Sequence, residues 1–255
     1  MSSTNKPVLK IDWATHEAAK FACVNWHYSG CMPAGKIVKV GVWENGKFIG
    51  VVLFSYGASP PLFVWAKQKL GLEKDQICEL SRIALTKHIN PVSKIIKLAF
   101  MMLRRQSPGI KTVVSFADLD ENHHGGIYQA GNWIYVGASN VGGRQGYMIK
   151  GRKVHCRSVG ALSGSNTIAG ARHLDPLATE VRTLGKHKYL MPLDDETKHR
   201  ILPMSKPYPK RVKQAMTGVH PEQRRSDTDP PAPTLSNVIA SEQTGNPFIS
   251  LKKAA

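Results

Sequence analysis

Ser115-Phe116-Ala117-Asp118 closes the apolar run containing Val113-Val114, and His123-His124-Gly125-Gly126-Ile127-Tyr128-Gln129-Ala130-Gly131-Asn132-Trp133 follows it. Pro108-Gly109 ahead of the run favours a strand over a helix. The pattern is therefore a buried strand that delivers a carboxylate to its C-terminal edge, a short Gly-rich helical turn that presents Tyr128, and a further strand. A carboxylate at such an edge can meet its substrate in the crevice where open α/β sheets bind ligands. Read singly, Asp118 caps the next turn and Tyr128 is a half-buried core aromatic with a satisfied hydroxyl. Both readings stand until the neighbouring segments are considered.

Several elements must position these residues. Residues 8–11 form a short strand, and Ala14, Ala18, Phe21, Ala22 and Trp26 recur at helical spacing behind a candidate cap, Asp12. Residues 37–43 and 48–54 flank Glu44-Asn45-Gly46-Lys47, where Asn-Gly suits a type I′ hairpin turn. Residues 56–72, with Pro60-Pro61, read as an irregular insertion. Residues 77–86 form another strand. Pro91 then opens a helix in which Val92, Ile95, Ile96, Ala99, Met102 and Leu103 share a face and Arg104 and Arg105 complement the dipole at its end. The strand to Phe116, the Tyr128 turn, a strand over 133–136 and a hairpin near 147–157 complete the order.

The chain has 255 residues, enough to bury a substantial core in one or two domains. Thirty-five Lys and Arg stand against 18 Asp and Glu, a net charge of +17, so the expected partner is polyanionic, with nucleic acid ahead of a membrane surface. No apolar stretch approaches the roughly 20 residues needed to span a bilayer, and the polar start lacks a signal-peptide core, so an intracellular, soluble protein is expected. Cys23, Cys31, Cys78 and Cys156 lack zinc-site spacing and read as reduced thiols, small core residues before metal ligands. From Pro203 onward lie 8 of the 16 prolines and hardly any periodic apolar pattern. Residues 1–203 are thus expected to be one catalytic domain and 204–255 a basic, mostly disordered tail.

The order of elements, an early hairpin followed by a strand-helix-strand-helix-strand core, resembles the GNAT acyltransferase superfamily. It implies an α/β fold with a central mixed, mostly antiparallel sheet flanked by helices. Ile127-Tyr128-Gln129-Ala130-Gly131-Asn132-Trp133 is similar to the GNAT segment whose Tyr acts as general acid towards the departing thiolate. Where such enzymes carry a glycine-rich pyrophosphate loop, Thr86-Lys87-His88-Ile89-Asn90-Pro91-Val92-Ser93 has no glycine, and Pro91 removes a donor. Acetyl-CoA is therefore not expected.

A closer resemblance is to the Mom DNA-modification family of bacteriophage Mu and its relatives. It is carried by Leu9-Lys10-Ile11-Asp12-Trp13-Ala14-Thr15-His16-Glu17-Ala18-Ala19, by Asn25-Trp26-His27-Tyr28-Ser29-Gly30-Cys31-Met32-Pro33, by Val42-Trp43-Glu44-Asn45-Gly46-Lys47-Phe48-Ile49-Gly50-Val51 and by residues 115–135. The resemblance implies a GNAT-like fold and a phage enzyme, acting in the cytoplasm of the bacterial host, that converts adenine in double-stranded DNA to its carbamoylmethyl derivative. Among its implications are an iron-bound site, with His27 and Asp118 as candidate ligands, and loss of the acetyl-CoA function.

On the matching positions, His27 is a candidate base or metal ligand in a loop beside Tyr28, Asp118 takes or orients the amine proton, and Tyr128 donates to a leaving oxygen. Glu79, Ser81, Arg82 and Ser115 are candidate substrate contacts, with Arg82 suited to a phosphate or carboxylate through its planar fork. Trp26, Tyr28 and Trp133 could stack on a base taken out of the duplex. Lys150, Arg152, Lys153 and Arg157 form a candidate DNA-backbone stripe. A scaffold without its pyrophosphate loop, in so basic a protein, also points to an acyl donor carried on a second nucleic acid, and glycyl-tRNA has the right two-carbon unit. The alternatives are a non-catalytic DNA-binding protein on a degenerate GNAT scaffold and a conventional acetyl-CoA-dependent acetyltransferase.

Overall fold

The computed structural model describes residues 7–56 and 60–210. They form two compact units where one domain over 1–203 is expected. The first contains residues up to Ser115, Gly126–Tyr135 and the chain from Tyr189; the second contains Phe116–Gly125 and Val136–Lys188. Among the described residues no helix is long and apolar enough to cross a membrane.

The first unit begins with an antiparallel meander of β1 (Leu9–Trp13), β2 (Ile37–Glu44), β3 (Lys47–Ser55) and β4 (Ile77–Leu85). β5 (Thr112–Asp118) lies parallel to β4, and β10 (Lys186–Pro192) and β6 (Ile134–Ser139) complete the sheet order β1-β2-β3-β4-β5-β10-β6. This is the mixed, mostly antiparallel α/β architecture expected from the order of elements. Asn45 and Gly46 have φ of 50° and 76°, as a type I′ turn requires.

α1 (His16–Trp26) starts three residues later than its apolar spacing predicts. Asp12 is still in β1, bonded to Lys10 and to the Trp13 amide, and the cap is Thr15, whose Oγ1 accepts the Ala18 N–H at 3.1 Å. The buried face of α1 is Ala18, Ala19, Ala22 and Cys23. These small residues share a core cluster with Trp43, Phe48, Val51 and Leu53.

Within the expected irregular insertion 56–72, of which 57–59 lie outside the described residues, Pro60–Leu70 is a helix, α2, with Leu62, Ala66 and Leu70 buried. Pro60 and Pro61 fall in its first turn, where a missing N–H costs nothing. α3 (Val92–Gln106) buries Ile95, Ile96, Ala99, Phe100 and Leu103, and Arg104 donates to the Leu193 carbonyl, tying the helix end to the segment after β10.

α4 is the single turn Gly126–Gln129. α7 (Asp195–Ile201) is capped by Asp194, and beyond it the chain stays attached. Lys206 N–H donates to Tyr135 O at 2.8 Å, Tyr208 O–H to Trp133 O at 2.7 Å, and the Gln129 side chain to Pro209 O at 3.2 Å. Residues 204–210 of the expected tail therefore belong to the first unit. The remainder, 211–255, lies outside the described residues.

The second unit holds a three-stranded sheet, β8-β7-β9, from β7 (Arg144–Ile149), β8 (Arg152–His155) and β9 (Thr179–Arg182), packed with α5 (Cys156–Ser163) and α6 (Ile168–Leu174) around Tyr147, Val159 and Ala171. β7 and β8 are the expected hairpin, turning at Lys150 and Gly151 with φ of 48° and 72°.

Candidate active site

Within the first unit the parallel pairing of β4 and β5 extends only over Ile77–Glu79 against Thr112–Val114. Past that point the two strands have no paired register, which leaves a fork of the kind that holds ligands at sheet edges. β4 is also bulged there. Leu53 opposes Arg82 and Phe54 opposes Leu80, so Ser81 is the extra residue. A bulge bends its strand and re-aims a side chain. Ser81 Oγ donates to Leu53 O at 3.2 Å and lies 3.1 Å from Ser55 Oγ, a neighbour that sequence reasoning missed.

Ser115 bridges the fork. Its Oγ is 2.8 Å from Leu80 O and 2.8 Å from the Tyr128 hydroxyl. One serine proton serves two neighbours. Given to the carbonyl, it leaves Tyr128 to donate to Ser115; given to the phenol oxygen, it leaves the phenol proton for a ligand. Tyr128 is buried between Trp133 and Tyr189, with ring centroids at 5.0 and 5.2 Å. Burial pushes its phenol up to about 12 against the opposing Ser115 hydrogen bond, and the Glu79 carboxylate acts in the same direction as burial. The group is a proton donor throughout the physiological range.

Arg82 grips the loop after α1. Its Nε donates to Cys31 O at 3.3 Å, Nη1 donates to Ser81 O at 2.7 Å, and Nη2 lies 3.9 Å from Cys31 Sγ. In that loop His27 Nδ1 lies 2.8 Å from Ser29 Oγ and accepts the Ser29 N–H at 3.1 Å. The His27 and Tyr28 rings stack at 4.3 Å, and Tyr28 is 57 % exposed. Cys31 is exposed rather than a core residue, whereas Cys23 is buried and its thiol is pushed up to about 11 by that burial. The first unit thus brings Ser115 and Tyr128 together beside Glu79, with Ser81 and Arg82 further along β4 and the His27 loop held by Arg82.

The loop that stands where acetyl-CoA-dependent enzymes hold a pyrophosphate is closed from inside. The Glu44 carboxylate accepts the Ile89 N–H at 2.9 Å, the Asn90 N–H at 2.8 Å and the Asn90 side-chain N–H at 2.8 Å. Burial alone would raise the Glu44 pKa, but these bonds, with His88, outweigh it and hold the group below the usual glutamate range. The amides that a phosphate would use before α3 already hold an anion. Nothing in the local sequence signals this, because Glu44 sits in the hairpin turn more than forty residues away.

The remaining expected positions separate. Trp133 is 1 % exposed and packs between Phe100 and Tyr128, so it presents no face to a base. Its aromatic spacing reflects core packing. Trp26 lies against Phe21 and Phe48, and its Nε1 is buried with no hydrogen-bond partner among the described residues.

Asp118 belongs to the second unit, buried, with one oxygen accepting the Asp120 N–H at 3.1 Å and the other 2.7 Å from Lys186 Nζ. It caps the next turn and is also ion-paired. Its neighbour Asp120 accepts from Thr183 Oγ1 and the Leu184 N–H. Those bonds, with Lys153 and Lys186, overcome burial and hold Asp120 below the ordinary range.

Arg152 and Lys153 are exposed on successive positions of β8, so the pleat sends them to opposite faces; Lys150 occupies the turn, and Arg157 lies in α5 instead of the hairpin. Arg152 and Lys153 therefore do not share one face of the hairpin. Among the described residues there is no group of three or more His, Cys, Asp or Glu able to hold a metal ion. The donor set does not fit iron, and no step is routed through it.

The bulged β4, the β4–β5 fork and the protonated tyrosine on the following helical turn lie in a mixed, mostly antiparallel α/β fold. The chain belongs to the Mom protein family, whose model matches residues 8–210. It is 24 % identical over 191 residues to the methylcarbamoylase Mom of Escherichia phage Mu, covering 72 % of this chain and 76 % of that one. Among solved structures it matches a protein from Acinetobacter baylyi ADP1 assigned as an acetyltransferase, at 12 % identity and a TM-score of 0.42, covering 76 % of this chain and 96 % of the other.

Proposed function

We propose that this protein is a phage DNA-modification transferase that converts adenine in double-stranded DNA to its N6-carbamoylmethyl derivative and so protects phage DNA from restriction in the bacterial cytoplasm. The observation that carries the reading is the buried Tyr128 phenol, held protonated beside Ser115 at the β4–β5 fork of a chain in the Mom protein family. A phenol kept protonated suits a general acid for a departing oxygen. Glu79 acts on it from nearby.

The donor we favour is glycyl-tRNA. The Glu44 carboxylate occupies the amides a CoA pyrophosphate would need, which argues against an acetyl-CoA route. Attack of the adenine N6 on the glycyl ester carbon forms an amide and releases the tRNA 3′-hydroxyl, with Tyr128 protonating that leaving oxygen. The glycyl amine then adds to C6 through a five-membered ring, an intramolecular step with a large effective-molarity advantage. Cleavage of the old C6–N6 bond leaves that nitrogen as the terminal carboxamide, and the product is an isomer of the amide. Glycine labelled with heavy nitrogen tests the route. After hydrolysis of only the carboxamide, the label is expected to remain on the purine; its release as ammonia, or its absence from the nucleoside, rejects the route.

A further inference from the structure

The first unit contains a concavity along α3. A groove of about 590 Å³ lies along α3, between that helix, the Ala130–Asn132 turn and the segment Met191–Leu193. Lys94, Lys97 and Arg104 line one wall, Phe100 and Trp133 form the floor, and Met101 stands at the rim, 63 % exposed. No Asp or Glu lines the groove among the described residues. Lys94 donates to the Asn90 side-chain oxygen at 2.8 Å and Arg104 to the Leu193 carbonyl. These partners are neutral, so they orient the cations without cancelling their charge.

We propose that this groove binds a short unpaired segment of DNA strand, with phosphates against Lys94, Lys97 and Arg104 and a base over the apolar rim at Met101. The three cations span ten residues of helix, about 15 Å. A cavity of this size lies in the range of small-ligand sites, about 300–1,000 Å³, the scale of a few nucleotides of one strand. A positively charged groove that tracks the backbone is part of how single strands are held without sequence preference. The proposal rests on DNA being the substrate. Taking an adenine out of its duplex leaves unpaired strand to be held.

The test is titration of a labelled DNA 12-mer with the full chain, comparing Lys97→Glu with Lys69→Glu, an exposed lysine of α2 outside the groove. Lys97→Glu is expected to weaken binding at least tenfold more than Lys69→Glu and to lower the slope of log K against log salt by about 0.7, the share of one phosphate contact on a single strand. Equal losses in the two variants overturn the proposal, since net charge alone then explains them. A bromodeoxyuridine-containing strand is expected to crosslink to residues 91–104 or 130–133, and crosslinks confined to other segments overturn it as well. An RNA 12-mer bound tenfold more tightly than the DNA overturns the commitment to DNA. Nucleoside analysis separates the two readings: modified adenine with no groove-dependent strand binding removes the groove alone, and groove-dependent binding without modified adenine removes the modification reading alone.

Discussion

Tyr128 and Ser115 are where the chemistry is assigned, and each can be altered without disturbing the core. Tyr128→Phe keeps the ring against Trp133 and Tyr189 and removes one hydroxyl bonded to Ser115. Modified adenine is expected to fall about 100- to 10,000-fold, the usual contribution of a positioned acid. Stability should change by only about 0.5–1.5 kcal/mol, read as a small shift in melting temperature. Because burial pushes this phenol up to about 12, its ionisation should cause no loss of activity between about pH 6 and 10. Glu44 offers a different readout. Its folded pKa lies below its unfolded value of 4.5, so the unfolded state binds the proton first and the stabilisation is lost as pH falls below that value. Glu44→Gln is therefore expected to lose less thermal stability than wild type between neutral and strongly acidic pH, and parallel melting curves across that range would contradict the assignment.

At the scale of elements, the local signals proved readable and the long-range ones did not. Asn45-Gly46, Pro91 and the apolar face of α3 announce a hairpin and a helix through backbone chemistry confined to a few residues. α2 was hidden because two adjacent prolines read as a break, although at a first turn they are permitted. The Ser81 bulge, the Arg82 grip on Cys31 O and the Glu44 plug join positions 26 to 51 residues apart, and only the folded register creates them. Trp133 shows the converse: an aromatic after a glycine looks functional, yet its ring is core. The grip itself makes a prediction. Arg82→Ala should free the loop that carries His27 and Tyr28, lowering modification at least tenfold and raising the labelling rate of the exposed Cys31 thiol. Arg82→Lys should not restore either, because an ammonium lacks the fork that spans two carbonyls. An unchanged Cys31 labelling rate in Arg82→Ala would show that the loop is held by other contacts.

For the whole molecule, the charge resides mainly in residues 1–210. The 45 residues after Lys210 carry six Lys and Arg against four Asp and Glu, out of a total of +17. Removing 211–255 is expected to preserve the melting temperature and modification, with slightly weaker and less salt-sensitive DNA binding. Removing 206–255 should in addition lower the melting temperature, because it takes away the Tyr208 bond to Trp133 O and the Lys206 bond to Tyr135 O. Equal melting temperatures for the two truncations would contradict the attachment of residues 204–210. The central claim is that the Tyr128 fork modifies adenine in DNA, and its most direct test is mass-spectrometric nucleoside analysis of DNA from cells expressing wild type or Tyr128→Phe. The account predicts a carbamoylmethyl-adenine nucleoside in the wild-type DNA and its near disappearance in the variant, with both proteins folded. Its absence from wild-type DNA, or equal amounts from both proteins, would contradict the account.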